Sequence, residues 1–192
     1  GEDMETDDAL RARYMLKVQN PGTSGNPAHY KQWALEVPGC GGAKAFPLWN
    51  GPGTVKLLVV DSNMTIDSTL PKKVNDYITR PDNPALQLNP IGATLTVDSP
   101  AGLSISATAN VKLDGSQTLA QMQAAFTAAL AGYLKSSVFR TYSVSYARIG
   151  SLLLSTPGVA DYNALTVNGG TANIKIPDND IPLAGTVALT EV

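Results

Sequence analysis

The sequence predicts an α+β fold in two domains, residues 1–88 and 89–192, each a small sheet with helices on one face. Segments with apolar residues at helical spacing are followed by segments with alternating or β-branched residues. In addition, one helix–helix–hairpin unit occurs twice, and in each copy a helix is stopped by Pro-Gly and followed by a strand, an Asn-Gly turn and a second strand. The copies run through residues 30–55 and 146–172.

Three helices and one hairpin are predicted for the first domain. Thr6 and the two aspartates after it indicate a helix N-terminus, from which Leu10, Tyr14 and Val18 follow on one helical face. Asn26 with Pro27 begins a second helix. The residues of this helix that we expect in the core are Tyr30, Trp33, Ala34 and Val37.

The hairpin follows this second helix. Its strands cover residues 43–49 and 54–60, and its turn covers residues 50–53. Ser68 is the predicted N-cap of a third helix. The core-facing residues of that helix are Leu70, Val74 and Ile78. A proline-rich stretch, residues 80–90, then predicts the domain boundary near residue 88.

The second domain begins with two strands, at residues 93–98 and 103–113, and ends with a possible strand at residues 183–189 that pairs with one or the other. Between them lie two helices and the second copy of the hairpin. Thr118 is the predicted N-cap of the longer helix. Its buried stripe is expected to contain Leu119, Met122, Phe126, Leu130 and Tyr133.

Composition argues against several classes of function. The 192 residues carry a net charge of −2, so no excess of Lys and Arg is present to neutralise the phosphates of a nucleic acid. The apolar runs, such as residues 55–60, are too short to cross a bilayer. The single cysteine, Cys40, has no intrachain partner for a disulfide. Only 16% of the residues are charged, which fits either a surface partly covered by neighbours or a turn-rich fold.

Two residue types usually found in catalytic sites lack the arrangement that catalysis needs. His29, the only histidine, has no orienting partner or nucleophile in a recognisable setting, and we interpret it as a helix residue that faces solvent or packs on Trp49. Cys40 follows the C-terminus of a helix, whose negative dipole end raises the pKa of a thiol. A hydrolase that uses both residues is therefore the weakest of the functions considered.

Loops that resemble ligand-binding motifs also depart from those motifs. Residues 61–67 space oxygen ligands like the start of a calcium-binding EF-hand loop, but Ile66 and Lys72 stand where that loop has Gly and Glu. Asp178 and Asp180 are weaker candidates for a calcium site than residues 61–67. The glycine-rich loops at residues 50–54 and 168–171 run into strands, whereas a phosphate loop precedes a helix. We expect no cofactor and no metal at any of these positions.

Aromatic residues are the remaining candidates for a functional surface. Trp and Tyr dominate the energetics of protein interfaces, although core packing is the commoner use of both. Trp33 is compatible with either role. The candidate interface residues are Trp49, Tyr142 and Tyr146, with Trp49 first because it ends a strand beside a tight turn.

Several stretches together resemble the baseplate J-like family of contractile phage tails, which includes Mu-type and defective-prophage tail proteins. The stretches that carry the resemblance are residues 6–14, 29–34, 37–39, 46–55, 90–93, 146–150 and 165–170. The resemblance extends over nearly the whole chain, and the run from Tyr30 to Val55 is the most specific. Members of this family are longer, so the resemblance implies the middle and C-terminal region of such a protein.

The resemblance implies a structural wedge protein of the tail baseplate, found in the virion and assembled in the cytoplasm of the bacterial host. Its implied partners are other baseplate and tail proteins, and copies of itself in a ring. No catalysis is implied, and the residues themselves suggest no nucleic acid, membrane or small-molecule partner. The alternative is a receptor- or glycan-binding module in which Trp49 and Tyr142 serve as exposed stacking platforms.

Overall fold

A computed structural model describes residues 6–19 and 25–192, and within these ranges the chain forms helices and strands in two separate units. The helices are α1 (Asp7–Gln19), α2 (Pro27–Leu35), α3 (Leu70–Thr79), a short 3-10 helix (Pro84–Leu86), α4 (Leu119–Ser137) and α5 (Tyr146–Leu154). The strands are β1 (Cys40–Pro47), β2 (Thr54–Asp61), β3 (Thr94–Asp98), β4 (Ala101–Leu113), β5 (Ser143–Val144), β6 (Val159–Val167), β7 (Ile174–Lys175) and β8 (Asp180–Glu191). The α+β prediction is confirmed.

The division between the units falls later than the predicted boundary near residue 88. The units are Gly1–Ser99 and Pro100–Val192. Strand β3 pairs in parallel with β2, from Thr54 with Thr94 to Leu58 with Asp98, and so completes the first sheet. The proline-rich stretch before it belongs to the crossover from β2 through α3 to β3. Leu88 donates a backbone hydrogen bond to Ile78 O (2.8 Å), which holds this stretch against α3.

In the first unit, helices α2 and α3 pack on one face of the sheet β1-β2-β3. Asn26 caps α2 because its Oδ1 accepts a hydrogen bond from His29 N at 2.8 Å. Thr69, not Ser68, occupies the N-cap position of α3. The buried apolar residues of this core are Tyr30, Trp33, Ala34, Val37, Ala43, Leu57, Val59, Leu70, Val74 and Ile78. All core residues predicted for α2 and α3 are therefore confirmed.

In the second unit, β4 is the central strand of the sheet β6-β4-β8 and α4 and α5 supply the other half of the core. Alternate residues of β4 are buried, as the sequence predicts. A capping box between Thr118 and Gln121 begins α4. The buried residues of α4 are Met122, Phe126, Leu130, Leu134 and Ser137. Leu119 and Tyr133 pack at the margin of this core.

The predicted repeat holds for its first half and fails for its second. In both units a helix ends at Pro-Gly before a strand, and the glycines, Gly39 and Gly158, both have positive φ values of 90° and 95°. The first hairpin, β1 with β2, is present. The second is wrong, because β6 pairs with β4 and the next strand, β7, pairs with β5.

The side chain of Asn168 explains this difference. It accepts a hydrogen bond from Ser106 N (2.8 Å) and donates one to Ser104 O (3.0 Å), so the turn after β6 is bound to β4 and not to a returning strand. The last strand, for which two partners were open, pairs in parallel with β4 from Ala101–Asp180 to Val111–Glu191. Both units thus place a central strand between an antiparallel and a parallel neighbour.

Replacing Trp33 with Ala should destabilise the first unit by about 3–5 kcal/mol, because the indole is buried and stacks edge-on against Tyr30 at a centroid distance of 5.2 Å. Denaturant unfolding followed by circular dichroism measures this change. The matched control is Trp49→Ala, which removes the only other tryptophan from an exposed position. Equal losses of stability in the two variants would contradict the assignment of Trp33 to the core.

Candidate functional site

Trp49 lies in the turn between β1 and β2, and hydrogen bonds fix the shape of this turn. Leu48 N donates to Thr54 O at 2.7 Å, and the Thr54 hydroxyl accepts from Asn50 N at 3.0 Å and donates to Gly51 O at 2.7 Å. The indole of Trp49 remains 46% exposed, and the ammonium of Lys56 lies 5.5 Å from its ring centroid. The tryptophan is therefore presented to solvent on a rigid support.

A second turn, Pro90 to Ala93, lies beside the first. Ala93 N donates to Pro90 O at 3.0 Å, and Thr94 N donates to Gly53 O at 2.8 Å, which joins the two turns at one end of the sheet. Ile91 at the tip is 97% exposed, and Leu48 in the first turn is 66% exposed. We call Leu48, Trp49 and Ile91 the turn patch. Sequence reasoning missed Leu48 and Ile91, although an isoleucine between Pro and Gly was an available signal.

Leu48 is also in an unusual backbone conformation. Its φ of 57° lies in the left-handed region, which residues other than Gly, Asn and Asp adopt rarely. A branched apolar residue here is unfavourable to local stability, and its side chain gains little burial in return. Residues in this conformation are concentrated at functional sites, although Met64 and Ala164 share it elsewhere in the chain.

The two candidate tyrosines belong to the second unit and differ from one another. Tyr142 is 73% exposed and directly precedes β5. Tyr146 is half-buried, contrary to the exposed ring considered from the sequence: it packs at the margin of the core and its hydroxyl donates to Leu165 O at 2.9 Å. Its place at the start of α5 gives its side chain internal partners. Tyr142 therefore stands as the better contact candidate of the pair.

His29 and Cys40 each have structural partners. The imidazole of His29 stacks on Trp33 at 3.8 Å between ring centroids, not on Trp49, and accepts a hydrogen bond from Gly25 N at 3.4 Å. Burial lowers the pKa of His29, and nearby Glu36 partly offsets this. Burial raises the pKa of the Cys40 thiol to about 11, and the thiol donates a weak hydrogen bond to Gly42 O at 3.6 Å. The direction predicted for Cys40 holds, with burial as its main cause.

The aspartates of the acidic loop at residues 61–67 accept hydrogen bonds from nearby residues of the same segment. Asp61 accepts from the backbone of Asn63 and Thr65 and from the Thr65 hydroxyl, at 2.7–2.9 Å. Asp67 accepts from Thr69 in the same way. Within residues 6–19 and 25–192, His, Cys, Asp and Glu side chains do not gather in threes as a metal site would require. Nor does any helix of these ranges have the length and apolar character needed to span a membrane.

Alkylation of Cys40 at pH 8 should be roughly a hundredfold slower than that of an unburied cysteine, because a pKa of about 11 leaves little thiolate at that pH. The rate should rise with pH up to and beyond 10. Iodoacetamide labelling followed by intact mass measures it, with free cysteine as reference. A fast reaction at pH 7 would instead indicate an activated thiol and revive the hydrolase hypothesis.

Comparisons with known proteins agree across both units. The sequence matches the description "Baseplate J-like central domain" over residues 22–99 and "Baseplate J-like protein C-terminal domain" over residues 104–190. It is 34% identical over its full length to Phage-like element PBSX protein XkdT of Bacillus subtilis (strain 168), of which it covers 55%. It is 29% identical over 168 residues to Baseplate protein gp47 of Escherichia phage Mu, with 84% of this chain and 46% of gp47 aligned.

The fold is also found in a solved assembly. A chain of the anti-feeding prophage baseplate, a six-fold symmetrised cryo-EM structure, superposes with a TM-score of 0.68 at 14% identity, over 96% of this chain and 42% of that one. The chain thus spans about half the length of the relatives that it matches. The two family matches meet close to the division between the two structural units. By these matches the chain belongs to the baseplate J-like family.

Proposed function

We propose that this chain acts as part of a structural wedge protein in the baseplate of a contractile tail. The observation that carries the proposal is the match to baseplate J-like domains in both units, which together span most of the chain. The relatives are longer than this chain, so its part in the whole protein is that of the central and C-terminal region. In this role several copies surround a central hub and contact other baseplate and tail proteins.

The proposed role is mechanical and not enzymatic. A wedge holds one ring arrangement before attachment and another after it, and the change releases contraction of the sheath. Such a switch needs interfaces with two discrete packings. Exposed aromatic side chains on rigid supports, Trp49 first and Tyr142 second, are suited to such contacts because they supply large contact area at little entropic cost. Tyr146 contributes to such a contact only indirectly, because its hydroxyl joins the start of α5 to Leu165 in β6.

The proposal extends to where the protein is found and what it does not bind. We place it in the tail of the virion, after assembly in the host cytoplasm. A net charge of −2 provides no electrostatic attraction for nucleic acid or an anionic membrane. Protein surfaces are then its partners, with no small-molecule substrate and no cofactor.

Quantitative peptide mass spectrometry of contractile-tail particles purified from the producing bacterium tests the proposal. We expect peptides of this chain at a few copies per tail, in a fixed ratio to sheath and tube proteins, since a wedge occupies a defined number of positions in a closed ring. A soluble cytosolic protein of the same cells serves as the control for contamination. Absence of these peptides from intact particles, with the protein free in the lysate, would reject the wedge role.

Replacing Trp49 with Ala should impair tail assembly far more than it lowers the stability of the isolated chain, because the indole is exposed and contributes little to the core. The measurement pairs the yield of intact particles by electron microscopy with the melting temperature of the purified variant. Thr171→Ala, an exposed substitution in the other unit, is the control. Normal assembly by a Trp49→Ala variant that melts early would assign Trp49 to folding instead.

A receptor- or glycan-binding module is the second candidate, and the exposure of Trp49 and Tyr142 is the observation in its favour. Aromatic platforms of this kind change their environment when a sugar or peptide stacks on them. A ligand-dependent shift in tryptophan emission that Trp49→Phe abolishes would support this function. Unchanged emission, together with binding to tail proteins, would support the wedge.

A further inference from the structure

The dipeptide Asn-Gly occurs twice in the chain, at Asn50-Gly51 and at Asn168-Gly169. Both asparagines are exposed, and each lies in a turn that follows a strand, β1 in the first unit and β6 in the second. An asparagine before glycine loses its side-chain amide more readily than one before a larger residue, because glycine has no Cβ to shield its main-chain nitrogen. The surroundings of the two side chains therefore decide which of them reacts.

The reaction needs only the two residues and water. The Gly51 nitrogen loses its proton to the solvent and attacks Cγ of Asn50, so that a new N–C bond closes a succinimide ring. The bond from Cγ to the side-chain nitrogen breaks, and ammonia leaves after taking a proton from water. Water then opens the ring at Cγ to give aspartate, or at the main-chain carbonyl to give isoaspartate. No atom is oxidised or reduced, since an amide and water become a carboxylate and ammonium.

The amide of Asn168 is fixed by hydrogen bonds to β4. Its Oδ1 accepts from Ser106 N at 2.8 Å, and its Nδ2 donates to Ser104 O at 3.0 Å. The main-chain nitrogen of Asn168 is bound as well, to Ser106 O at 2.9 Å. The side chain must break both of its hydrogen bonds before Cγ can turn toward the Gly169 nitrogen, and each broken bond slows the reaction.

The amide of Asn50 has no such anchor. Within residues 6–19 and 25–192 its side chain has no hydrogen-bond partner, and the bond that holds this residue runs from its main-chain nitrogen to Thr54 Oγ1 at 3.0 Å. The attacking nitrogen of Gly51 makes one long hydrogen bond, to Leu48 O at 3.3 Å. Gly51 and Gly169 both have open space where a Cβ would lie, so access to the nitrogen does not distinguish the two sites.

We propose that Asn50 is a site of spontaneous deamidation and that the hydrogen bonds to β4 protect Asn168 from the same reaction. This chemistry is independent of the proposed wedge role. Residues 48–54 contain no charged side chain, so the product places a negative charge in a turn that was neutral. Isoaspartate also lengthens the main chain by one methylene between Trp49 and Gly51, which the hydrogen-bonded shape of this turn cannot accommodate unchanged.

Peptide mapping of the purified chain, incubated at mildly alkaline pH, tests the proposal. Mass spectrometry quantifies the acid form of the peptides that contain Asn50 and Asn168, and a methyltransferase specific for isoaspartate detects the rearranged product. We expect Asn50 to be lost at least roughly tenfold faster than Asn168, because only the second site must break two side-chain hydrogen bonds. Asn50→Gln is the matched control. It keeps the main-chain donors of the turn but requires a larger, more slowly formed ring, so conversion at position 50 should disappear.

The same measurement on the chain unfolded in denaturant separates the effect of the fold from that of the neighbouring residues. The two asparagines should then react at similar rates, because the bonds to Ser104 and Ser106 are lost. Loss of Asn168 as fast as that of Asn50 in the folded chain would overturn the proposal. A difference of the same size that persists in the unfolded chain would also overturn it, since β4 would then not be the cause of the protection.

Discussion

The constraint on which both units depend is a central strand with an antiparallel neighbour on one side and a parallel neighbour on the other. A parallel neighbour cannot be reached by a tight turn and requires a long crossover. In the first unit this crossover contains α3, and in the second it contains α4 and α5. The connection that the sheet requires thus supplies α3 to the first core and both helices to the second, and α2, which precedes β1, completes the first core. The end of the first unit at Ser99 follows from the same rule, because β3 returns to β2.

Local patterns predicted the elements whose partners are close in sequence. The stripe of Leu70, Val74 and Ile78 identified α3, and the turn at Asn50–Gly53 identified the hairpin of β1 and β2. Strand pairings between distant segments could not be predicted in the same way. Nothing in the residues after Asn168 distinguishes a strand that returns to β6 from one that pairs with β5, since that choice depends on hydrogen bonds between Asn168 and β4, more than sixty residues away. Proline-rich segments were equally ambiguous, because they end regular structure within a domain as well as between domains.

The candidate interface residues also differ in whether local sequence or distant partners determine their exposure. Trp49 was predicted to end a strand beside a tight turn; β1 in fact ends at Pro47, and Trp49 lies exposed in that turn. The half-burial of Tyr146 could not be predicted, because its hydroxyl is held by Leu165 in a strand that follows α5. The exposure of Ile91 was not predicted, because hydrophobic periodicity identifies the buried face of a helix or strand and does not apply to a residue at the tip of a turn. Its importance follows only from the hydrogen bond between Thr94 and Gly53, which brings its turn beside that of Trp49.

The proposed wedge role calls for contacts that are rigid, because a subunit that exchanges one packing for another has to keep its own shape. Rigidity comes from the turns, where Thr54 and its hydrogen bonds fix the backbone around Trp49. The exposed indole can then supply contact area at little entropic cost. If copies adjoin in a closed ring, as proposed, each contact need contribute only modestly, because two neighbours hold each copy and the effective concentration of the second contact is high. A modest change at each interface would then be enough to move such a ring to a second arrangement.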